Sequence, residues 1–144
     1  MISDHGNWTP PLELTQHLER LATIVHKPKG TILFRRGDPA SGLYLIHRGE
    51  VSLTINCDDA FFPPKILTGG CLVGLPGTIS GNPYSLTAEV VKDAELAFIP
   101  RPAVLDLLQR NSPLCFQVME MLSDEISQIR SAFKSTDTHR RARA

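Results

Sequence analysis

A chain of 144 residues with 15 basic and 15 acidic side chains has no general attraction for nucleic acid, and at 42% hydrophobic and 21% charged residues it is too apolar for a disordered tail. No apolar run approaches the roughly 18 residues that cross a bilayer, and Met1-Ile2-Ser3-Asp4-His5 lacks the basic stretch and apolar core of a signal peptide, so a cytoplasmic chain is expected. Cys57, Cys71 and Cys115 are odd in number and widely spaced, which argues against both a disulfide scaffold and a zinc module.

The length suits one domain, which at this size buries roughly two-thirds of the surface its unfolded chain exposes. Thr9-Pro10 reads as an N-cap followed by proline in the first turn. Leu14, Leu18, Leu21 and Val25 then recur at helical spacing, predicting a helix over about residues 10–26 that breaks at Lys27-Pro28-Lys29-Gly30. From Thr31 to Pro100 short β-prone runs alternate with Gly, Pro, Asn and Asp, the texture of a small all-β roll. The predicted strands are 31–34, 43–47, 51–55, 65–67, 85–91 and 95–99. Turns are expected at Arg36-Gly37-Asp38-Pro39, Arg48-Gly49-Glu50 and Thr68-Gly69-Gly70.

After Pro100 the helical period returns. Val104, Leu105, Leu107 and Leu108 predict a short helix over 102–110, which Asn111-Ser112-Pro113 ends, with Ser112 expected to cap the next one. That next helix is predicted over about 113–134, roughly 30 Å at 1.5 Å per residue. Leu114, Val118, Leu122, Ile126, Ile129 and Phe133 form its apolar stripe, widened by Cys115, Met119 and Met121. Such a stripe can pack on its own β-roll or on a partner helix. Its length favours a partner, since a roll of about 70 residues is too small to cover all of it. A parallel homodimer through Leu114, Val118, Met121, Leu122, Ile126, Ile129 and Phe133 is therefore expected. Residues 135–144, with His139, Arg140, Arg141 and Arg143, read as a solvated basic tail in preference to a nucleic-acid patch.

The run Lys29-Gly30-Thr31-Ile32-Leu33-Phe34-Arg35-Arg36-Gly37-Asp38, followed by Gly42-Leu43-Tyr44-Leu45-Ile46-His47-Arg48-Gly49-Glu50-Val51, resembles the opening of the cyclic-nucleotide-binding domain of the CRP/FNR family of bacterial regulators. The likeness continues through Gly70-Cys71-Leu72-Val73-Gly74 and 82–90. Ser123-Asp124-Glu125-Ile126 looks like part of the dimerisation helix of the FNR-like branch, so the resemblance covers about residues 28–134. It implies a mainly β domain with flanking helices, a double-stranded β-helix or jelly roll over 1–134, with a small-molecule pocket in the roll and a signal passed to a long dimer helix. The pocket would be lined by Leu72, Val73, Gly74, Leu75, Pro76, Tyr84, Ser85, Leu86 and Thr87.

Two departures follow from the resemblance. Nucleotide-binding members carry a Glu for the ribose and an Arg for the cyclic phosphate; here Leu75 and Tyr84 stand at those places. A buried phosphate needs a charged or bidentate donor and ribose hydroxyls need an acceptor, and leucine offers neither. At ~1.5–3 kcal/mol for each charge-assisted hydrogen bond, losing both weakens a micromolar site by about a hundredfold to ten-thousandfold. Tight cyclic AMP binding is not expected, and a pocket filled by Leu75 and Tyr84 stands beside one that takes a different, more apolar effector. Ser85, Thr87 and whichever of Arg35 and Arg36 faces inward are further polar candidates. The second departure is length. About ten residues follow Lys134, too few for the helix-turn-helix of full-length regulators, so no direct DNA contact is expected unless the chain is a fragment of a longer regulator.

Other chemistry is weakly supported. The histidines at 5, 17, 26, 47 and 139 contain no H-x-H pair for a metal-holding jelly roll, and His47 reads as a lone packed or surface residue. Residues 1–56 hold no cysteine for an iron–sulfur centre, and although His5, His17, His26 or His47 would offer an axial haem ligand, no spacing demands one. Gly74-Leu75-Pro76-Gly77-Thr78 has neither a P-loop lysine nor a G-x-G-x-x-G pattern. The expectation is a sensory and dimerisation domain with no catalytic residues, metal, cofactor or membrane contact. A ligand-free structural module is the alternative.

Overall fold

The computed structural model describes residues 10–54 and 64–123. Helix α1 (Leu12–Leu21) buries Leu14 and Leu18; β1 (Thr23–Lys27) and β2 (Ile32–Phe34) follow, and then the long strand β3 (Gly42–Thr54). Strands β4 (Lys65–Leu67) and β5 (Leu72–Val73) lead to a short helix α2 (Leu75–Ser80), the second long strand β6 (Thr87–Pro100), α3 (Arg101–Arg110) and a helix α4 over 112–123.

Strands β3 and β6 form a long antiparallel ribbon running from Gly42 opposite Pro100 to Thr54 opposite Thr87. The other strands hang from it: β1 and β2 pair with β6, β4 and β5 with β3, every pairing antiparallel. Because side chains alternate across a strand, each segment feeds two cores. Ile46, Val73 and Leu96 face the roll interior with Phe34, Val51, Leu67 and Val90. Their neighbours Leu45, Leu72 and Ala97 face a second cluster, where α1, α3 and α4 contribute Leu14, Leu18, Val104, Leu108, Leu114 and Val118. The architecture is an antiparallel jelly roll with flanking helices, as the sequence implied.

Four local expectations are corrected. The first helix stops at Leu21, with Pro11 at its N-cap, and Thr23–Lys27 instead pairs with 94–98 of β6. Val25 lies at helical spacing from Leu21, but it follows Thr23 and Ile24 in a β-branched run that is better satisfied by a ladder than by another helical turn. Arg48-Gly49-Glu50 is no turn. The chain runs straight through it as a bulge in β3, where register shifts on both sides of Gly49 and its φ is 96°. A Cβ at Gly49 would lie 2.5 Å from the Asp93 carbonyl oxygen, so glycine is required by the close approach of β6 as well as by φ. The two strands expected at 85–91 and 95–99 are likewise the single strand β6.

Helix α2 was unexpected, although Pro76 at its start and the left-handed Gly81 at its C-cap are start and stop signals. Finally, the cap of α4 is Asn111, not Ser112. The Leu114 N–H donates to Asn111 Oδ1 at 3.3 Å, and the Cys115 N–H to the Asn111 carbonyl at 3.1 Å, which places Ser112 in the first turn. Thr9, Ile55 and residues 124–134 of the predicted helix lie outside the described residues.

Candidate effector site and signal helix

Tyr84 is 4% exposed and occupies the roll interior. Its ring lies face to face with Phe34, centroids 3.7 Å apart and planes 13° from parallel. Its hydroxyl donates to the Gly42 carbonyl at 2.5 Å and accepts from the Gly42 N–H at 3.2 Å. The register explains why that peptide is available. Arg101 N–H donates to Ser41 carbonyl, so Gly42 opposite Pro100 is a non-hydrogen-bonded pair whose own N–H and C=O point away from β6. The backbone of Tyr84 is also engaged: its N–H donates to the Asp38 carbonyl at 3.0 Å and its carbonyl accepts from Gly37 N–H at 2.8 Å. One residue thus ties the turn after β2, the start of β3 and the segment before β6.

The nine residues expected to line one pocket divide between the two cores. Val73 and Tyr84 face the roll interior, Leu86 packs half-buried against it, and the Gly74 backbone backs onto the Tyr84 and Phe34 rings. Leu72 and Leu75 turn the other way, into the helix-side cluster, with Leu75 1% exposed at the first position of α2. Leu75 and Tyr84 therefore do not face a shared ligand space, and a carboxylate at 75 would be buried among leucines. Pro76 is half-buried and Ser85 exposed, while the Thr87 hydroxyl accepts the Arg36 N–H at 2.9 Å. Arg35 and Arg36 both lie beyond the end of β2 with exposed side chains, so alternation along a strand does not send either inward. Beneath α2, the buried Thr78 hydroxyl donates to the Gly74 carbonyl at 2.7 Å and Arg101 Nε to the Thr78 carbonyl at 2.9 Å, which fixes α2 to the start of α3.

On α4, Leu114, Val118 and Met121 are buried at 0%, 2% and 8% within their own chain. This corrects the interface expected from the sequence at those three positions: the roll and its helices cover them, leaving nothing for a partner to bury. Leu122 is half-buried, Phe116 and Met119 are exposed at 69% and 58%, and Ile126, Ile129 and Phe133 lie outside the described residues.

One cluster escaped sequence reading altogether. His47 of β3 stands with its Nε2 2.7 Å from Glu19 Oε2 on α1 and its Nδ1 3.1 Å from Glu95 Oε2 on β6, and Arg48 Nη2 and His26 Nε2 reach Glu95 Oε1 at 2.7 and 3.3 Å. Glu19 and Glu95 are 28 and 48 positions from His47 in the chain, so only strand register and the docking of α1 bring the three together. No group of three or more histidine, cysteine or acidic residues among the described residues has metal-holding geometry, and no helix among them is long and apolar enough to cross a membrane.

A family model described as the cyclic nucleotide-binding domain matches residues 24–111, the span from β1 to the cap of α4. The chain belongs to the cyclic nucleotide-binding domain family. It is 29% identical over 129 residues to the anaerobic regulatory protein of Bacillus subtilis, covering 88% of this chain and 54% of that one. The fold is similar to that of the c-di-GMP responsive global regulator CLP of Xanthomonas campestris (TM-score 0.70, 22% identity, 89% of this chain and 63% of that one). It is also similar to the Thermus thermophilus catabolite activator protein (TM-score 0.69, 25% identity, 89% and 59%). The chain spans about half the length of that curated relative. These relatives are regulators of the CRP/FNR type. Against their family's ligand chemistry, the domain here presents a phenol already bonded to Gly42 and a leucine turned to the other core.

Proposed function

We propose that this cyclic nucleotide-binding domain is a non-enzymatic regulatory module whose roll interior is closed by its own side chains, and which conveys its state through α4 to a second copy of the chain. Tyr84 is the observation that supports it. A cyclic phosphate entering the roll must find a cationic donor, and the residue at that place offers a neutral phenol whose one proton already serves Gly42. Displacing the ring means breaking both hydroxyl contacts and the Phe34 stack.

Calorimetric titration of the intact chain with cyclic AMP and cyclic GMP tests this reading. Expected is no binding at the micromolar level, since two missing charge-assisted contacts cost a factor of about a hundred to ten thousand. Micromolar binding of either nucleotide overturns it. A second reading is favoured by the likeness to a regulator described as c-di-GMP responsive: an effector of another shape, which c-di-GMP in the same titration samples. Tyr84→Arg changes the roll interior and Leu75→Glu the helix-side core, so the two are made separately, each checked for folding before titration, because each buries a charge.

A further inference from the structure

His47 is unusual in facing a carboxylate at each ring nitrogen, from two different elements. A neutral imidazole carries one N–H and one lone pair, so it can donate to Glu19 or to Glu95 and must set its lone pair against the other's oxygen. The imidazolium alone donates to both. The two carboxylates are not equally provided for. Glu95 is also reached by Arg48 from β3 and by His26 from β1, with Lys27 and Asp93 lining the adjoining groove. Among the described residues, the Glu19 carboxylate has His47 as its partner.

We propose that Glu19, His47 and Glu95 form a protonation-dependent latch that holds α1 against the roll. α1 is the element it controls because Glu19 sits one position from Leu18, which, with Leu14, is buried in the same cluster as Leu114 and Val118 of α4. Loosening α1 therefore uncovers apolar surface that α4 also packs against. The latch does not depend on whether the roll takes an effector.

Burial alone would lower the His47 pKa, but hydrogen bonds to Glu95 and Glu19 outweigh it and raise the value above 6.5. Glu95 is held at about 2, first by Arg48 and then by His47, so it stays ionised wherever His47 titrates. Since the folded pKa of His47 exceeds the unfolded one, the contribution of the latch is complete below about pH 6.5 and is lost as pH rises through the raised value.

Hydrogen exchange of the intact chain at about pH 6 and about pH 8.5, corrected for the intrinsic pH dependence of exchange, reads the latch directly. Expected is a rise of about two- to fivefold in the opening of α1 amides at the higher pH, the size of a partly exposed ionic contact, with α3 amides unchanged. Glu19→Gln and His47→Lys should abolish that pH dependence, the first leaving α1 open at both values and the second closed at both. If His47→Lys does not fold, the half-exposed Glu19→Gln still decides. An α1 that opens no more at high pH, one that keeps its pH dependence in Glu19→Gln, or imidazole nitrogen shifts showing a neutral His47 ring at about pH 6, overturns the proposal.

Discussion

Tyr84 carries more of the site than any other side chain, and its hydroxyl can be tested apart from its ring. Tyr84→Phe keeps the stack on Phe34 and the volume of the roll but leaves the Gly42 N–H and carbonyl without their partner in a buried place. A lost partner at buried polar groups costs about 1–3 kcal/mol, which denaturant unfolding should show as a lower midpoint at unchanged slope. Tyr84→Ala loses the ring as well, and a cavity of that kind costs about 3–5 kcal/mol. An unchanged midpoint for Tyr84→Phe would mean that water serves Gly42 as well as the phenol does. Tyr44, stacked on Phe34 and tilted against Phe98, stays neutral in this network, since burial and then the Tyr84 phenol push its pKa up from 10. The resemblance at 82–90 singled out Tyr84, which lies in the roll interior. The direction in which Leu75 points was not, because it is set by α2, and a six-residue helix flanked by two glycines gives periodicity no room to register.

At the scale of elements, the patterns that survived were those written by apolar spacing. The α3 period, the β3 and β6 runs and the Gly-rich turns at 36–39 and 68–70 match their places in the fold. What failed was the punctuation at Gly49 and at the start of α4. Gly49 reads as a turn because a positive φ commonly marks one, yet it serves here to let β6 approach, a reason that exists only once the two strands are paired. The α4 cap is a similar case, where Asn111 and Ser112 are both good capping residues and adjacent. The two are separable by substitution: Asn111→Ala removes the Oδ1 contact to the Leu114 N–H and should cost about 1 kcal/mol, or about 2–4 °C in melting temperature for a domain of this size. Ser112→Ala, in the first turn, should leave the stability within about half a kcal/mol of the parent. Equal effects of the two would return the cap to Ser112.

For the molecule as a whole, the proposed link between copies turns on which face of α4 remains after the domain has used its own. The inward stripe Leu114, Val118 and Met121 is spent on the helix-side core. A second stripe runs beside it: Cys115, Met119 and Leu122, with the sequence continuing the same spacing at Ile126, Ile129 and Phe133. Its steps of four, three, four, three and four follow the heptad period that packs two helices side by side, a period the inward stripe does not keep past Met121. The stripe read from sequence mixed the two, because Leu114 and Leu122 look alike until burial separates them. Met119, exposed at 58%, is the most exposed described position of that stripe. Burying a methionine stabilises by about 1.5–3 kcal/mol, and a two-fold dimer buries two copies. Met119→Glu should therefore weaken self-association by about a hundredfold or more while leaving the melting temperature of the isolated fold unchanged. Val118→Ala should do the reverse, lowering fold stability by opening the helix-side core while Met119 and Leu122 remain to meet the partner. Sedimentation across a concentration series, set beside thermal unfolding, separates the two. If Met119→Glu leaves self-association unchanged, or the parent chain sediments as a monomer at every concentration, the outward stripe of α4 is not the route by which one copy senses another.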